Sequence, residues 1–397
     1  MANEIVEITR EGWGKRLGNA FGGIVFGLVM TVVAFPLLFW NEGRAVKRYQ
    51  TLDEGAGIVI SVGADRVDLA FEGKLVHVTG NAHVSGVVTD DQFGVSAEAI
   101  KLKREVEMFQ WVEEQKTETR NKLGGGTEKV TTTSYDQRWS SSLRKSGQFK
   151  DAVGHRNPDS MPFTSEEIRA DAVNLGVFTL PEFFVSQIRG DTPITIDSLD
   201  GLPEAIRPQA KLLDGGVFLG KDPALPEVGD VRVRFSAVMP SDISVVAKQT
   251  GDTFAKYHTA AGGDLEILAM GMQSAEAMFE AEETSNKMLT WILRAVGFFL
   301  MGIGLSLVAR PLKVMADVLP IAGRVVGAGV GFFAFALAAI GSSVTIAAAW
   351  IFYRPLIGTA VLVITGLVGF WLIKRLRKAK PPELDLSMPA DAPPPLA

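Results

Sequence analysis

The chain contains no cysteine and only four histidines in 397 residues. Without cysteine there are no disulfides, thiolate zinc sites, iron–sulfur clusters or cysteine nucleophiles. Four histidines leave little for a His-rich metal centre. The net charge of -5 lacks the basic excess of a general nucleic-acid binder, so no nucleic-acid partner is expected. Catalytic signatures are missing as well: there is no G-x-S-x-G, no H-E-x-x-H and no phosphate-binding glycine loop. Ser142-Leu143-Arg144-Lys145 matches S-x-x-K, but its companions S-D-N and K-T-G are absent. No catalytic residue, cofactor or metal is expected.

Apolar residues make up 47% of the chain and gather toward its ends. Leu17 to Asn41 is a run of 25 residues without a charge. About 20 apolar residues cross a bilayer. Trp13 and Trp40 are placed as interfacial anchors. A cleaved signal peptide has a shorter apolar core followed by small residues. Here Asn41-Glu42-Gly43-Arg44 follows the run, so an uncleaved anchor is expected. Three more spans are read at 288–309, 325–353 and 355–373. Arg354-Pro355 separates the last two, where proline favours a break.

The expected fold is therefore α+β. It has four transmembrane helices, one N-terminal and three C-terminal, with a large β-rich domain inserted between the first two. Lys and Arg tie across the first span, with Arg10, Lys15 and Arg16 before it and Arg44, Lys47 and Arg48 after it. The later segments break the tie, because the 310–324 loop and the 374–397 tail are basic. Both ends, 1–16 and 374–397, are thus expected in the cytoplasm. The acidic domain, 42–287, is expected outside it. The tail is Pro-rich from Pro381 and is expected to be disordered.

Within the domain, Ile100 to Glu113 alternates apolar with charged positions, the period of a half-buried strand. Val231 to Ala237 does the same, and Leu75–Val78 is a shorter candidate that Gly80 should end. Phe109 and Trp111 fall on the charged face of their strand, so something should cover them. Gly124-Gly125-Gly126 between two Thr-rich segments predicts a polar hairpin arm over 113–139. It would lie on a second subunit or remain a solvated loop. Thr164-Ser165-Glu166-Glu167 fits a capping box opening a short helix. Gln273–Lys287 predicts a helix capped near Ser274 that leads into the second span.

Glycines four apart permit close helix contact. Gly23 and Gly27 supply this in the first span, and Gly323, Gly327 and Gly331 in the third. Gly327→Leu should then weaken packing or assembly. Ser342, Ser343 and Thr345 could line a path, although bonding between helices is the commoner use. His77 and His83 lack further ligands for a metal. Gly154-His155-Arg156-Asn157-Pro158 reads as a turn, with a catalytic use of His155 as the weaker reading.

Six ordered blocks carry a family resemblance. They are Asn41-Glu42-Gly43-Arg44-Ala45, Leu75–Val78, Val106–Glu113, Gly154–Pro158, Pro226–Val233 (with Asp230), and Trp350–Leu356 (with Arg354 and Pro355). Together they span roughly residues 20–375, and the chain resembles the LUMA family of four-span membrane proteins. The resemblance implies a large lumenal domain, self-association and a role in organising membrane protein complexes. It supplies no catalytic residue. The motif residues Glu42, Arg44, Trp111, His155, Asn157, Pro158, Asp230, Arg354 and Pro355 carry no assigned role.

The expected protein is a non-enzymatic scaffold whose partners are itself, the lipid bilayer and other membrane proteins. The alternative is an oligomeric channel or lipid-handling protein. The expected location is a bacterial inner membrane with a periplasmic domain. The inner nuclear membrane or endoplasmic reticulum, with a lumenal domain, is the alternative.

Overall fold

The first uncharged run forms the middle of a much longer helix. In the computed structural model, which describes residues 4–356 together with Val363, Leu367 and Lys374, α1 spans Trp13–Ile58. Its 46 residues measure about 70 Å at 1.5 Å per residue. The helix passes Asn41 without a break and carries the charged segment 42–58 into the β-rich domain. α2 (Ala275–Val308) runs back from the domain. Its start is capped as the sequence predicts, with the Ser274 hydroxyl accepting from the Ala277 amide at 3.2 Å. Pro320 divides the following stretch into α3 (Arg310–Ala316) and α4 (Pro320–Tyr353).

Three described helices, α1, α2 and α4, are long and apolar enough to cross a membrane, where four were expected. The fourth expected span, 355–373, lies outside the described residues apart from Pro355, Leu356, Val363 and Leu367. The tail 381–397 lies wholly outside them. Ala34 and Leu38 of α1, Met301 of α2 and Ala338 of α4 form the core of the bundle.

The domain is built from two main sheets. The strands used here are β1 (Glu4–Glu11), β2 (Leu75–Val84), β3 (Lys101–Asn121), β4 (Thr127–Ser140), β5 (Glu166–Arg169), β6 (Ala210–Leu213), β7 (Gly216–Leu219), β8 (Val231–Val238), β9 (Ser241–Thr250) and β10 (Ile267–Met270). The eight-stranded sheet has the order β1-β4-β3-β8-β7-β6, with β5 and Asp191–Ile194 pairing off this path. Val106, Met108, Val231, Val233 and Phe235 fill its core, so the alternation seen in the sequence sets which face is buried. The seven-stranded sheet closes on itself, because β9 also pairs with β2. Val76, Val78, Ile243, Val245 and Phe254 lie in its interior. Leu52 of α1 and Phe279 of α2 pack with Leu75 and Ile267, docking both helices on the domain.

Two local expectations are corrected. Gly80 does not end its strand: β2 continues to Val84, with Gly80 opposite Ile243 of β9. The capping box at Thr164 opens no helix, because Glu166–Arg169 is a strand paired with Lys101–Arg104. The Ser165 hydroxyl accepts instead from the Val106 amide at 3.0 Å. An exposed backbone edge offered by β3 wins over a local cap.

The polar hairpin is real and is longer than its alternation suggested. β3 and β4 pair from Met108–Ser140 to Asn121–Thr127. They are not left to solvent alone. The N-terminal strand β1 pairs along β4 from Glu4–Ser134 to Glu11–Thr127. The hairpin tip docks where α1 begins: the Gly124 amide donates to the Val318 carbonyl at 3.2 Å, and Gly125 rests against Trp13. One sheet thus joins segments 1–16 and 42–287, which the charge count had set on opposite sides of a bilayer.

Candidate functional site: the junction of helices and domain

Two of the sequence motifs, far apart in the chain, meet where the bundle enters the domain. Glu42 sits at the end of the uncharged run of α1 and Arg294 interrupts the apolar part of α2. Helix packing brings them together as a bidentate pair. Arg294 Nε and Nη2 donate to Glu42 Oε1 and Oε2 at 2.7 and 2.8 Å. Trp350 of α4 donates its indole N–H to Glu42 Oε2 at 2.8 Å. The Arg294 guanidinium also faces the Trp291 and Trp350 rings at 4.8 and 5.8 Å. Glu42 is only 3% exposed. An acid this deep persists because a fork of donors offsets its lost hydration.

The neighbours of Glu42 extend the lock. Asn41 donates to the Thr290 carbonyl at 3.1 Å. Arg44 reaches Asn286 Oδ1 at 3.0 Å and the Thr290 hydroxyl at 3.1 Å. Asn286 returns a bond to the Ala45 carbonyl at 3.0 Å. Gly43 leaves room for the Tyr353 ring, which a side chain at that position would strike. Beside this lock lies a cavity of about 780 Å³. Glu42, Tyr49, Lys287, Trp291, Arg294 and Trp350 contribute to its wall, with Arg354, Pro355 and Leu356 at one side. Its lining is mixed, with cationic groups and indole rings side by side. The Glu42 carboxylate already has three donors, an arrangement suited to fixing helices rather than taking a proton from a substrate.

The remaining motif residues form a second cluster at the root of the arm. His155 stacks on Tyr135 with centroids 3.8 Å apart and meets the Trp111 edge at 4.6 Å. Its Nδ1 lies 3.2 Å from the Asp151 carboxylate. Asn157 accepts from the Trp111 amide at 2.8 Å and donates to the Trp111 carbonyl at 2.9 Å. It continues β3 as a side chain where strand pairing with β8 has ended. Phe109 packs on Trp139 at 5.3 Å, so both aromatics on the charged face are covered. Asp230 and Pro158 belong to the adjoining turn. The Phe109 amide donates to the Asp230 carbonyl at 2.8 Å, and Pro158 lies beside Gly229.

Glu113 completes this root. Tyr135 donates to its carboxylate at 2.8 Å and the Lys150 amide at 2.6 Å. Burial pushes its carboxyl pKa up, but these bonds and a third from Gln115 together hold it below the ordinary value. His77 is lowered by burial, against a backbone bond to Gln273 that raises it. His83 is half-buried. Among the described residues no group of three or more His, Cys, Asp or Glu is arranged for a metal.

The glycines differ among themselves. A methyl at Gly27 would come within 2.6 Å of the Gly304 carbonyl oxygen, so α1 and α2 touch through backbone there. Gly323 and Gly327 face Asp317 and Lys313, in the segment just before α4, rather than another long helix. Gly23 and Gly331 face open space. Gly297, which accommodates Leu38, and Gly304 were missed in the sequence because neither repeats at a spacing of four. The Glu42–Arg294 pair was missed too, although single charges of opposite sign at the domain end of two apolar runs were a signal for it.

The Transmembrane protein 43 family model matches residues 108–355. A rat (Rattus norvegicus) Transmembrane protein 43 is 37% identical over 371 residues, covering 89% of this chain and 90% of its own. The human protein of the same name is 35% identical over 372 residues, covering 90% of each. A Drosophila melanogaster Transmembrane protein 43 homolog is 31% identical over 367 residues, covering 89% of this chain and 94% of its own. No solved structure matches.

Proposed function

The chain belongs to the Transmembrane protein 43 family, and from that premise we propose that it is a non-enzymatic membrane scaffold that self-associates and gathers other membrane proteins. The observation that carries this reading is the outer edge of β1, which has no strand partner among the described residues. This strand ends its sheet and exposes Val6 at 57% and Ile8 at 58%. An edge left unpaired templates a further strand. Two copies of β1 paired antiparallel about Glu7 would set Glu4 opposite Arg10 and Val6 opposite Ile8, both favourable cross-strand pairs. The two facing Glu7 carboxylates each have Lys150 at 2.6 Å to offset their repulsion.

The test is particle mass in nanodiscs. The native chain should exceed a monomer, and the double variant V6K/I8K should shift to smaller particles by setting lysines opposite each other. A native monomer would overturn the reading. The rat, human and Drosophila relatives fit an endoplasmic-reticulum or inner nuclear membrane. They lend the bacterial inner-membrane expectation no support.

Lipid handling is a second reading, favoured by the mixed lining of the cavity at the junction. Co-purified phospholipid that Trp291→Glu depletes would support it. For the channel form, Ser342 and Thr345 donate to the Ala339 and Gly341 carbonyls of their own helix, at 3.2 and 2.7 Å, while Ser343 is exposed.

A further inference from the structure

The cavity at the junction stands at a definite depth. Three uncharged runs, Leu17 to Asn41, Ala295 to Ala309 and Val325 to Tyr353, are bounded on the domain side by Glu42, Arg294 and Arg354. All three of these charged residues line the cavity. Charges that bound apolar spans mark the edge of the hydrocarbon. From there the wall follows α1 as far as Gln50. Glu42 to Gln50 is a rise of about 12 Å at 1.5 Å per residue. The headgroup layer of one leaflet is about 5–8 Å deep. The cavity therefore starts at the lipid tails, passes through the headgroup level and ends in water. Its volume of about 780 Å³ can take a headgroup with its glycerol.

The charges in the wall favour an anion. They are Glu42, Glu283, Lys287, Arg294 and Arg354. Both acids are engaged within the protein. Glu42 takes its donors from Arg294 and Trp350, and Glu283 lies 3.2 Å from Lys287. Arg354 makes no ion pair among the described residues. Arg294 spends Nε and Nη2 on Glu42, and its Nη1 donates to no group among the described residues. Guanidinium groups match the oxygens of a phosphate ester. A zwitterionic headgroup would bring a further cation to a wall whose carboxylates are already taken.

The same wall offers apolar contact. The Arg294 guanidinium faces the Trp291 and Trp350 rings, and Trp291 is 68% exposed. Indoles at this level pack on glycerol and the upper part of acyl chains. Basic pockets between membrane helices select anionic lipids for these reasons.

We infer that the cavity holds one phospholipid whose headgroup carries a net negative charge. Its phosphate meets Arg354 and the open side of Arg294, Lys287 stands nearer the water, and the upper chains lie against the indoles. This inference rests on the lipid-handling reading and adds to it the class of lipid.

The test uses the full chain, stripped of lipid in mild detergent and titrated under native mass spectrometry. Three ligands are compared: phosphatidylglycerol, phosphatidylcholine with the same acyl chains, and soluble glycerol 3-phosphate. The expected result is a single phosphatidylglycerol adduct at about a tenth or less of the phosphatidylcholine concentration needed, and none with glycerol 3-phosphate. Losing one charged contact to phosphate weakens binding about tenfold. Arg354→Gln should therefore weaken phosphatidylglycerol by about that factor and leave phosphatidylcholine unchanged. Lys287→Gln should act in the same direction by less, and Lys287→Arg should retain binding. The Lys287 side chain is 68% exposed, so its variants decide the matter if Arg354→Gln does not fold. Equal affinity for both lipids, unaffected by either Gln variant, would overturn the anionic assignment while lipid handling stood. No adduct with either lipid would overturn both and leave the space to protein. Glycerol 3-phosphate binding as tightly as phosphatidylglycerol would make this a site for soluble phosphates and overturn the lipid assignment.

Discussion

At the scale of residues, Glu42 decides how helices and domain meet. Glu42→Gln leaves Arg294 without its counter-ion in a site with little access to water. Breaking one side of a buried ion pair costs about 3–5 kcal/mol. The expected outcome is a clear fall in melting temperature in detergent, with partial recovery in the double variant E42Q/R294M. No change in the single variant would show that the pair is not needed. Glu113 gives a pH dependence. Its folded pKa lies below the unfolded one, so its contribution is complete above the ordinary carboxylate value of 4.5 and is lost as pH falls through the folded value. The native chain should therefore lose more stability on acidification than Glu113→Gln, as read by parallel thermal melts. The motif residues were legible as a set, but their roles were not. His155 and Asn157 have chemistry that suits an active site, and only their contacts with Trp111 and Tyr135 show that they hold the arm.

Among elements, alternation identified β3 and β8 and capping identified the start of α2, because these signals are local. The continuation of α1 past Asn41 was not legible, since a charged helix that docks on a domain lacks the uncharged run that marks a membrane segment. β1 was not legible either, because Glu4–Glu11 owes its structure to β4, far along the chain. Glycine spacing was a weaker guide than glycine contact. Gly27→Leu would drive a side chain into the Gly304 backbone and should destabilise the bundle by about 1–3 kcal/mol or more. Gly327→Leu meets the flexible Lys313 side chain and should cost less than Gly27→Leu. Melting the two variants side by side checks the order, and a reversed ranking would contradict this packing.

For the whole molecule, the arm ties the far end of the bundle back to the domain. Arg16 and Asp317 are its clasp, with side chains 13% and 1% exposed. Asp317→Ala strands the Arg16 charge and should release the tip. Protease cutting between Lys122 and Lys129 should then rise several-fold while the domain stays intact. An unchanged cutting rate would mean that β1 alone secures the hairpin. The pairing of β1 also dictates an order of assembly. The first ordered strand finds no place until Ser134 has left the ribosome, so α1 must associate with lipid while its N-terminal extension is still loose. The newborn polypeptide therefore closes its arm only after α1 has been made, and a bulky tag fused ahead of Glu4 would hinder that closing step first.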